Sequence, residues 1–378
     1  MKKIGIGFLL IIGVLIALVL VNPQINPSHT SPFLALDKET TAPAPAEADI
    51  VQRVILYGDA GHSSREPWQA SMLKVAQRAS IAPDKSTVVA LGDNIYMQGY
   101  PQKEEDQTEW DEDQLESISF LDAQLRVAKE SGADMYLVPG NHDWYATELQ
   151  SQSEHVARYA EQHGVNTRFE PFHGGDIQYP TAAELPGVTL IFIDSEWLLR
   201  AEGTQRSKAL GRLDLLMRTS RKNHPDKLLL LTAHHPLETM GQHAGYLAEF
   251  AYWFFIKTIF MVFPEAADED TYSPIYQAMI TDINAVTGKY ERVIYAAGHE
   301  HSLQVFHHHQ GEGTGPEYSL VSGAANSNKI SGVWHTPNTR FALSQEGFME
   351  LSLTNQGTYL QVWDIHNEAP VAGFWLAL

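Results

Sequence analysis

Five short stretches of the chain hold residue types that bind metal ions or move protons. They are Gly58-Asp59-Ala60-Gly61, Gly92-Asp93-Asn94-Ile95-Tyr96, Pro139-Gly140-Asn141-His142-Asp143, Ala233-His234-His235 and Ala297-Gly298-His299-Glu300-His301. Together they offer carboxylates, imidazoles, an amide oxygen and a phenol, a donor set suited to iron, zinc or manganese. The chain has no cysteine, so thiolate sites and disulfides are excluded. Two ions held about 3.5–4 Å apart can supply a hydroxide and offset charge on the nonbridging oxygens of a phosphate ester, provided a carboxylate spans them. A protonated histidine can then serve the leaving alkoxide as general acid. Taken singly each stretch is weak: Gly-Asp pairs are common turns, and a lone histidine is more often a core or surface residue than a ligand.

The elements in front of these stretches supply what they lack singly. Each follows a short apolar run with strand character: Arg53–Tyr57, Thr87–Leu91, Met135–Val138, Leu228–Thr232 and Arg292–Ala296. Ligands of α/β sheets bind at the carboxyl ends of strands, so five such ends can converge on one crevice. Further strands are expected at Val188–Ile193, Leu303–His307, Tyr318–Val321, Met349–Leu353 and Tyr359–Trp363, with helices near Trp68–Ser80 and Leu115–Ser131. A βαβ beginning and a strand-rich end predict sheets covered by helices. Lys103–Glu116 holds eight carboxylates and one lysine, and reads as a solvated loop and helix start.

The chain of 378 residues can bury a sizeable core. Its formal net charge of −20 argues against polynucleotide binding, which needs clustered Lys and Arg. Lys2 and Lys3 precede an uncharged apolar run, Ile4–Val21, with no small-x-small cleavage site after it. Residues 1–22 therefore read as a signal anchor or a signal peptide, and either one exports the remainder of the chain. Residues 23–49, rich in Pro, Ala and Thr, read as a flexible spacer. Residues 50–378 read as one catalytic domain with an apolar insertion at about 244–270. Within it, Tyr246–Phe263 reads as a buried helix or as a lid resting on a membrane.

The ordered set of motifs resembles the calcineurin-like metallophosphoesterases, and among them the small, tartrate-resistant purple acid phosphatases. Gly58-Asp59-Ala60-Gly61 and the tyrosine of Gly92-Asp93-Asn94-Ile95-Tyr96 carry the finer likeness, joined by Gly298-His299-Glu300-His301-Ser302-Leu303-Gln304 and Val321-Ser322-Gly323-Ala324-Ala325-Asn326. The resemblance spans roughly Val54 to the C-terminus. It implies an α/β (α+β) sandwich of four layers, αββα, with two mixed sheets and a dimetal site at the carboxyl ends of strands.

By that resemblance, Asp59, Tyr96 and His301 bind a first metal, Fe(III), and Asn141, His234 and His299 bind a second, a divalent iron, zinc or manganese. Asp93 bridges the two. His142 contacts the substrate phosphate, and His243 is a candidate proton donor to the leaving group, with a plain loop histidine as the alternative. The implied reaction is in-line attack by a metal-held hydroxide on a small phosphomonoester. A membrane-associated phosphodiesterase acting on a lipid or envelope ester is the alternative, and a non-catalytic metal-binding scaffold is a third reading. The implied location is outside the cytoplasm, anchored through the N-terminal helix, or secreted or periplasmic after cleavage. His62, three residues after Asp59, leaves open a shifted Asp-x-His variant, which the presence of Tyr96 argues against, while His235 and His307-His308-His309 are expected to be polar surface residues. Asp143 and Asp194 are candidates for orienting histidine ligands, with a plain turn residue after a strand as the alternative for Asp194.

Overall fold

The computed structural model describes residues 29–378 except 105–106, 147–148, 172–177, 244–267, 309–314, 327 and 329. The N-terminal apolar run and Tyr246–Phe263 thus lie outside the described residues. Among the described residues no helix is long and apolar enough to cross a membrane.

From the N-terminus come β1 (Phe33–Leu34), β2 (Ile50–Tyr57), α1 (Ala70–Ala79), β3 (Ser86–Leu91), α2 (Glu112–Ser131) and β4 (Asp134–Val138). Next are α3 (Asn141–Trp144), α4 (Gln150–His163), β5 (Thr167–Phe169), β6 (Thr181–Leu185), β7 (Val188–Phe192), α5 (Ser195–Arg200) and α6 (Gly203–Asn223). The chain continues with β8 (Leu228–Thr232), α7 (Pro274–Thr287), β9 (Val293–Ala297), β10 (Leu303–His307), β11 (Tyr318–Ser322) and β12 (Thr339–Leu343). It ends with β13 (Gly347–Thr354), β14 (Gly357–Asp364) and β15 (Ala372–Trp375).

The strands form two mixed sheets. One runs β1-β12-β10-β11-β9-β8-β7-β6 and the other β15-β14-β13-β2-β3-β4-β5. The central pairs β2/β3, β3/β4, β7/β8 and β8/β9 are parallel. Their near-continuous apolar runs follow from burial on both faces. In β8, Leu228 and Leu230 point between the sheets, while Leu229 and Leu231 meet α6 and α7. In β2, Val54 and Leu56 point inward, while Ile55 and Tyr57 meet α1 and α2. The alternation makes three apolar layers and hence the expected αββα order.

Helix boundaries follow local chemistry. Asp111 accepts a hydrogen bond from the Gln114 amide at 2.8 Å while the Gln114 side chain accepts one from the Asp111 amide at 3.0 Å, a reciprocal cap that starts α2. The described residues of the acidic stretch before it are mostly exposed, as its composition suggests. Ser273 caps α7, with Pro274 at its first position.

Residues 29–49 depart from the flexible spacer expected there. β1 pairs with β12, and Thr40 forms an isolated bridge to Trp375. Glu39, only 7% exposed, accepts from the Tyr318 hydroxyl at 2.7 Å and pairs with His307 at 2.8 Å and Arg340 at 3.4 Å. One acidic side chain that meets three buried partners overrides the mobility that Pro, Ala and Thr suggest.

Candidate functional site

The five stretches converge where the strands end. Asp59 follows β2, Asp93 follows β3, Asn141 and His142 begin α3 just after β4, His234 follows β8, and His299 and His301 follow β9. The two sheets are joined at this rim. The His299 amide donates to Asp59 Oδ2 at 2.8 Å, and His234 Nδ1 donates to the Leu91 carbonyl at 2.8 Å. Asp59, Asp93 and His299 have φ of 62°, 52° and 68°, left-handed values uncommon outside glycine. Gly140 permits a close approach: a side chain there would collide with the Asp93 carboxylate and amide.

The predicted ligand atoms form two clusters. In the first, Tyr96 Oη lies 3.1 Å from Asp59 Oδ1 and 3.2 Å from His301 Nε2, and His301 Nε2 lies 3.3 Å from Asp59 Oδ1. In the second, His234 Nε2 lies 3.0 Å from Asn141 Oδ1, 3.2 Å from His299 Nδ1 and 3.4 Å from Asp93 Oδ1. Ligand atoms of Asp59, Asp93 and His234 all lie within 4.8 Å of one another, which ties the clusters together. The structure thus brings all seven predicted metal ligands together.

This arrangement fits cations. Both outer ring nitrogens of the second cluster are committed to backbone carbonyls, His234 Nδ1 to Leu91 and His299 Nε2 to Glu269 at 3.1 Å. Their inner nitrogens are left for the site: His234 Nε2 faces the Asn141 amide oxygen and the Asp93 carboxylate, and His299 Nδ1 faces His234 Nε2. One proton on His234 could serve one of these contacts, whereas a cation serves all of them. Burial favours neutral Asp93, yet the charges of His234 and His142 hold its carboxyl below the usual range. Burial disfavours a charged His234, yet Asp93 and Asp59 raise its pKa. Burial, then Asp59 and Asp93, push the Tyr96 phenol well up. The site therefore has unmet demand for positive charge, and a metal beside Tyr96 would reverse the trend on its phenol.

The predicted catalytic histidines flank the clusters. His142 donates its backbone amide to Asp93 Oδ1 at 3.0 Å, and its Nδ1 meets the Met97 carbonyl at 2.9 Å. Its ring stands edge-on between those of Tyr96 and Tyr145, at centroid distances of 4.7 and 4.8 Å. Nε2 is left toward the site, 4.0 Å from Asp93 Oδ2. The His243 ring lies 4.1 Å from that of His299, and its amide donates to Glu300 Oε2 at 2.8 Å.

Several neighbours differ from expectation. His235 is fully buried, with Nδ1 2.9 Å from Ser195 Oγ, and His307 is buried in a stack on Tyr318. Neither is a surface residue: His235 meets the buried Ser195 hydroxyl and His307 the buried Glu39 carboxylate; His309 lies outside the described residues. His62 rests against the rings of Tyr96 and Phe120. Asp143 accepts from the amides of Asn94 and Gly140 and the side chains of Asn94 and Gln152, so it braces the loops rather than a histidine. Burial and then Asp93 push its carboxyl up to about 6. Asp194 caps α5 and accepts from the Trp144 indole. Glu269 touches Asn141 and His299 without any sequence signal of its own.

Comparison with known proteins agrees with this geometry. Residues 52–303 match the calcineurin-like phosphoesterase family, a span that includes all seven predicted ligands. No curated protein matches the chain. Among solved structures, GAP50, the anchor in the inner membrane complex of Plasmodium, superposes with a TM-score of 0.53 at 14% identity, covering 86% of this chain and 88% of that one. That is a likeness of fold. The phosphopantetheinyl hydrolase PptH from Mycobacterium tuberculosis superposes more loosely, with a TM-score of 0.34 at 11% identity, over 73% and 90% of the two chains. With well over half of its length matched, the chain belongs to the calcineurin-like phosphoesterases, metal-dependent hydrolases of phosphoester bonds.

Proposed function

We propose that the chain hydrolyses phosphomonoesters as an acid-phosphatase-like enzyme. In this reading Asp59, Tyr96 and His301 hold Fe(III), Asn141, His234 and His299 hold a divalent iron, zinc or manganese, and Asp93 is shared. The observation that carries it is the pair of acceptor clusters linked through Asp93, one of them containing a tyrosine. When bound, the two ions supply a nucleophile below neutral pH and offset the charge of the phosphoryl oxygens. The protein's own residues do the rest. His142, clamped by Met97 and two tyrosine rings, presents Nε2 to the substrate phosphate. His243, held through its amide by Glu300, supplies the proton to the leaving alkoxide. Buried Asp143 keeps the loops after β3 and β4 in register. The charged start and apolar run of residues 1–22 support export, with the domain tethered outside the cytoplasm or released by cleavage.

The tyrosine gives the most direct test. Iron-loaded, oxidised protein is expected to show a visible tyrosinate-to-iron charge-transfer band, and Tyr96→Phe should lose the band without unfolding. A colourless, fully iron-loaded and active wild type would refute this role. The acid is tested by substrate choice. His243→Ala is expected to slow alkyl phosphates by about 10²–10⁴-fold, and activated aryl phosphates, whose leaving groups need no proton, much less. Equal losses on both would show that His243 acts in binding instead. Turnover of a monoester against a diester on one sample decides between this reading and a phosphodiesterase.

A further inference from the structure

We infer that Glu269 is a positioning residue that turns two ligands of the second metal toward the ion. The inference rests on the metal assignment proposed above. An asparagine side chain has an accepting end and a donating end, and only the accepting end can bind a cation. Asn141 Nδ2 donates to Glu269 Oε1 at 3.2 Å, and the Tyr145 hydroxyl donates to the same oxygen at 2.9 Å. An ionised carboxylate is acceptor-only, so it can receive only the NH₂ end of Asn141. Asn141 Oδ1 is thereby directed to His234 Nε2, 3.0 Å away.

The same residue acts on His299 through its backbone. His299 Nε2 donates to the Glu269 carbonyl at 3.1 Å, which leaves the Nδ1 lone pair facing His234 at 3.2 Å. Glu269 is itself anchored on both sides. Asp268 pairs with Arg200 at 3.8 Å, and Arg200 holds the buried Glu196. The Thr271 amide and hydroxyl both donate to the His243 carbonyl, at 3.0 and 3.1 Å. The stretch leading into α7 is therefore fixed to α5 and to the His243 loop, with Glu269 between the anchors. Partners of this kind typically contribute 10–100-fold to metal affinity.

The test titrates the metal-free full chain with Mn²⁺ by calorimetry. Wild type is expected to bind two ions. Glu269→Ala should weaken the second binding step by about 10–100-fold and leave the first unchanged. Glu269→Gln, which offers a donating end beside its accepting one, should weaken the second step as well, though less than Glu269→Ala. Asn141→Asp removes the need for orientation, because both ends of a carboxylate accept. In that background Glu269→Ala should cost no affinity. Glu269→Ala binding both ions as wild type does would overturn the inference, as would an equal loss with and without Asn141→Asp. If Glu269→Ala misfolds, a folded Glu269→Gln that binds the second ion as wild type does overturns it equally. A wild type that binds fewer than two ions would instead overturn the metal assignment, and this inference with it.

Discussion

Asp93→Ala is expected to lose more than about 10³-fold in turnover and to lose bound metal along with it. Asp93 is 2% exposed, its Oδ1 faces His234, and its charge bears on Tyr96 in the other cluster. Losing the charge stabilisation that a dinuclear centre gives to a phosphoryl transition state removes several kcal/mol, and each 1.36 kcal/mol is tenfold. Asp93 has a φ of 52°, so alanine also adds backbone strain. Asp93→Asn separates the effects, because asparagine tolerates that conformation and lacks the bridging charge. Both variants should fail in activity, and elemental analysis should find less than two metals per chain. Near-normal turnover with two metals retained would refute the bridging role.

The largest effect on stability is expected far from the chemistry. Glu350 in β13 is fully buried and receives Arg53 Nε at 2.7 Å together with Arg78 Nε and Nη2, each at 2.8 Å. Arg53 is itself fully buried at the start of β2, and Glu47 contacts its other end. Glu350→Ala would leave that guanidinium with one half-exposed partner. Removing one member of a buried ion pair costs about 3–5 kcal/mol, because the remaining charge stays desolvated. Equilibrium denaturation should show the loss directly, and the folded fraction should keep wild-type turnover, since the site lies beyond the other end of β2. A midpoint within error of wild type would show that water reaches Arg53 in the variant.

The strands that carry the site are readable in the sequence because they are buried on both faces. Leu228–Thr232 and Thr87–Leu91 are uninterrupted apolar or β-branched runs, and such runs need no partner to identify them. β5, β6, β12 and β15 are not readable in this way. They are short or mixed, as in Thr181–Leu185 with its central alanines and Glu184. Their identity comes from the neighbour they pair with, which composition does not encode. The site shows the same division. The seven predicted ligands meet because each sits within five residues of a strand end, so local sequence determines its place. Glu269 is invisible in the sequence because its contacts with Asn141 and His299 span 128 and 30 residues, and one of them uses a carbonyl that every residue has. His235 and His307 escape a local reading for a related reason: a histidine becomes a core residue only when a distant group such as Ser195 or Glu39 is there to bind it.

The N-terminal stretch that docks on the body runs from one sheet to the other. β1 lies along β12, at the border of the eight-stranded sheet, and Thr40 meets Trp375, at the border of the seven-stranded one. Uncovered strand borders are templates for pairing with other chains, and proteins shield them. Residues 33–40 perform that shielding for both sheets with a single pass of chain. Trimming the protein to residue 50 would bare β12 and β15 together and strip Tyr318, His307 and Arg340 of the carboxylate they share. A trimmed protein is therefore expected to aggregate more readily than the full chain, although every catalytic motif remains.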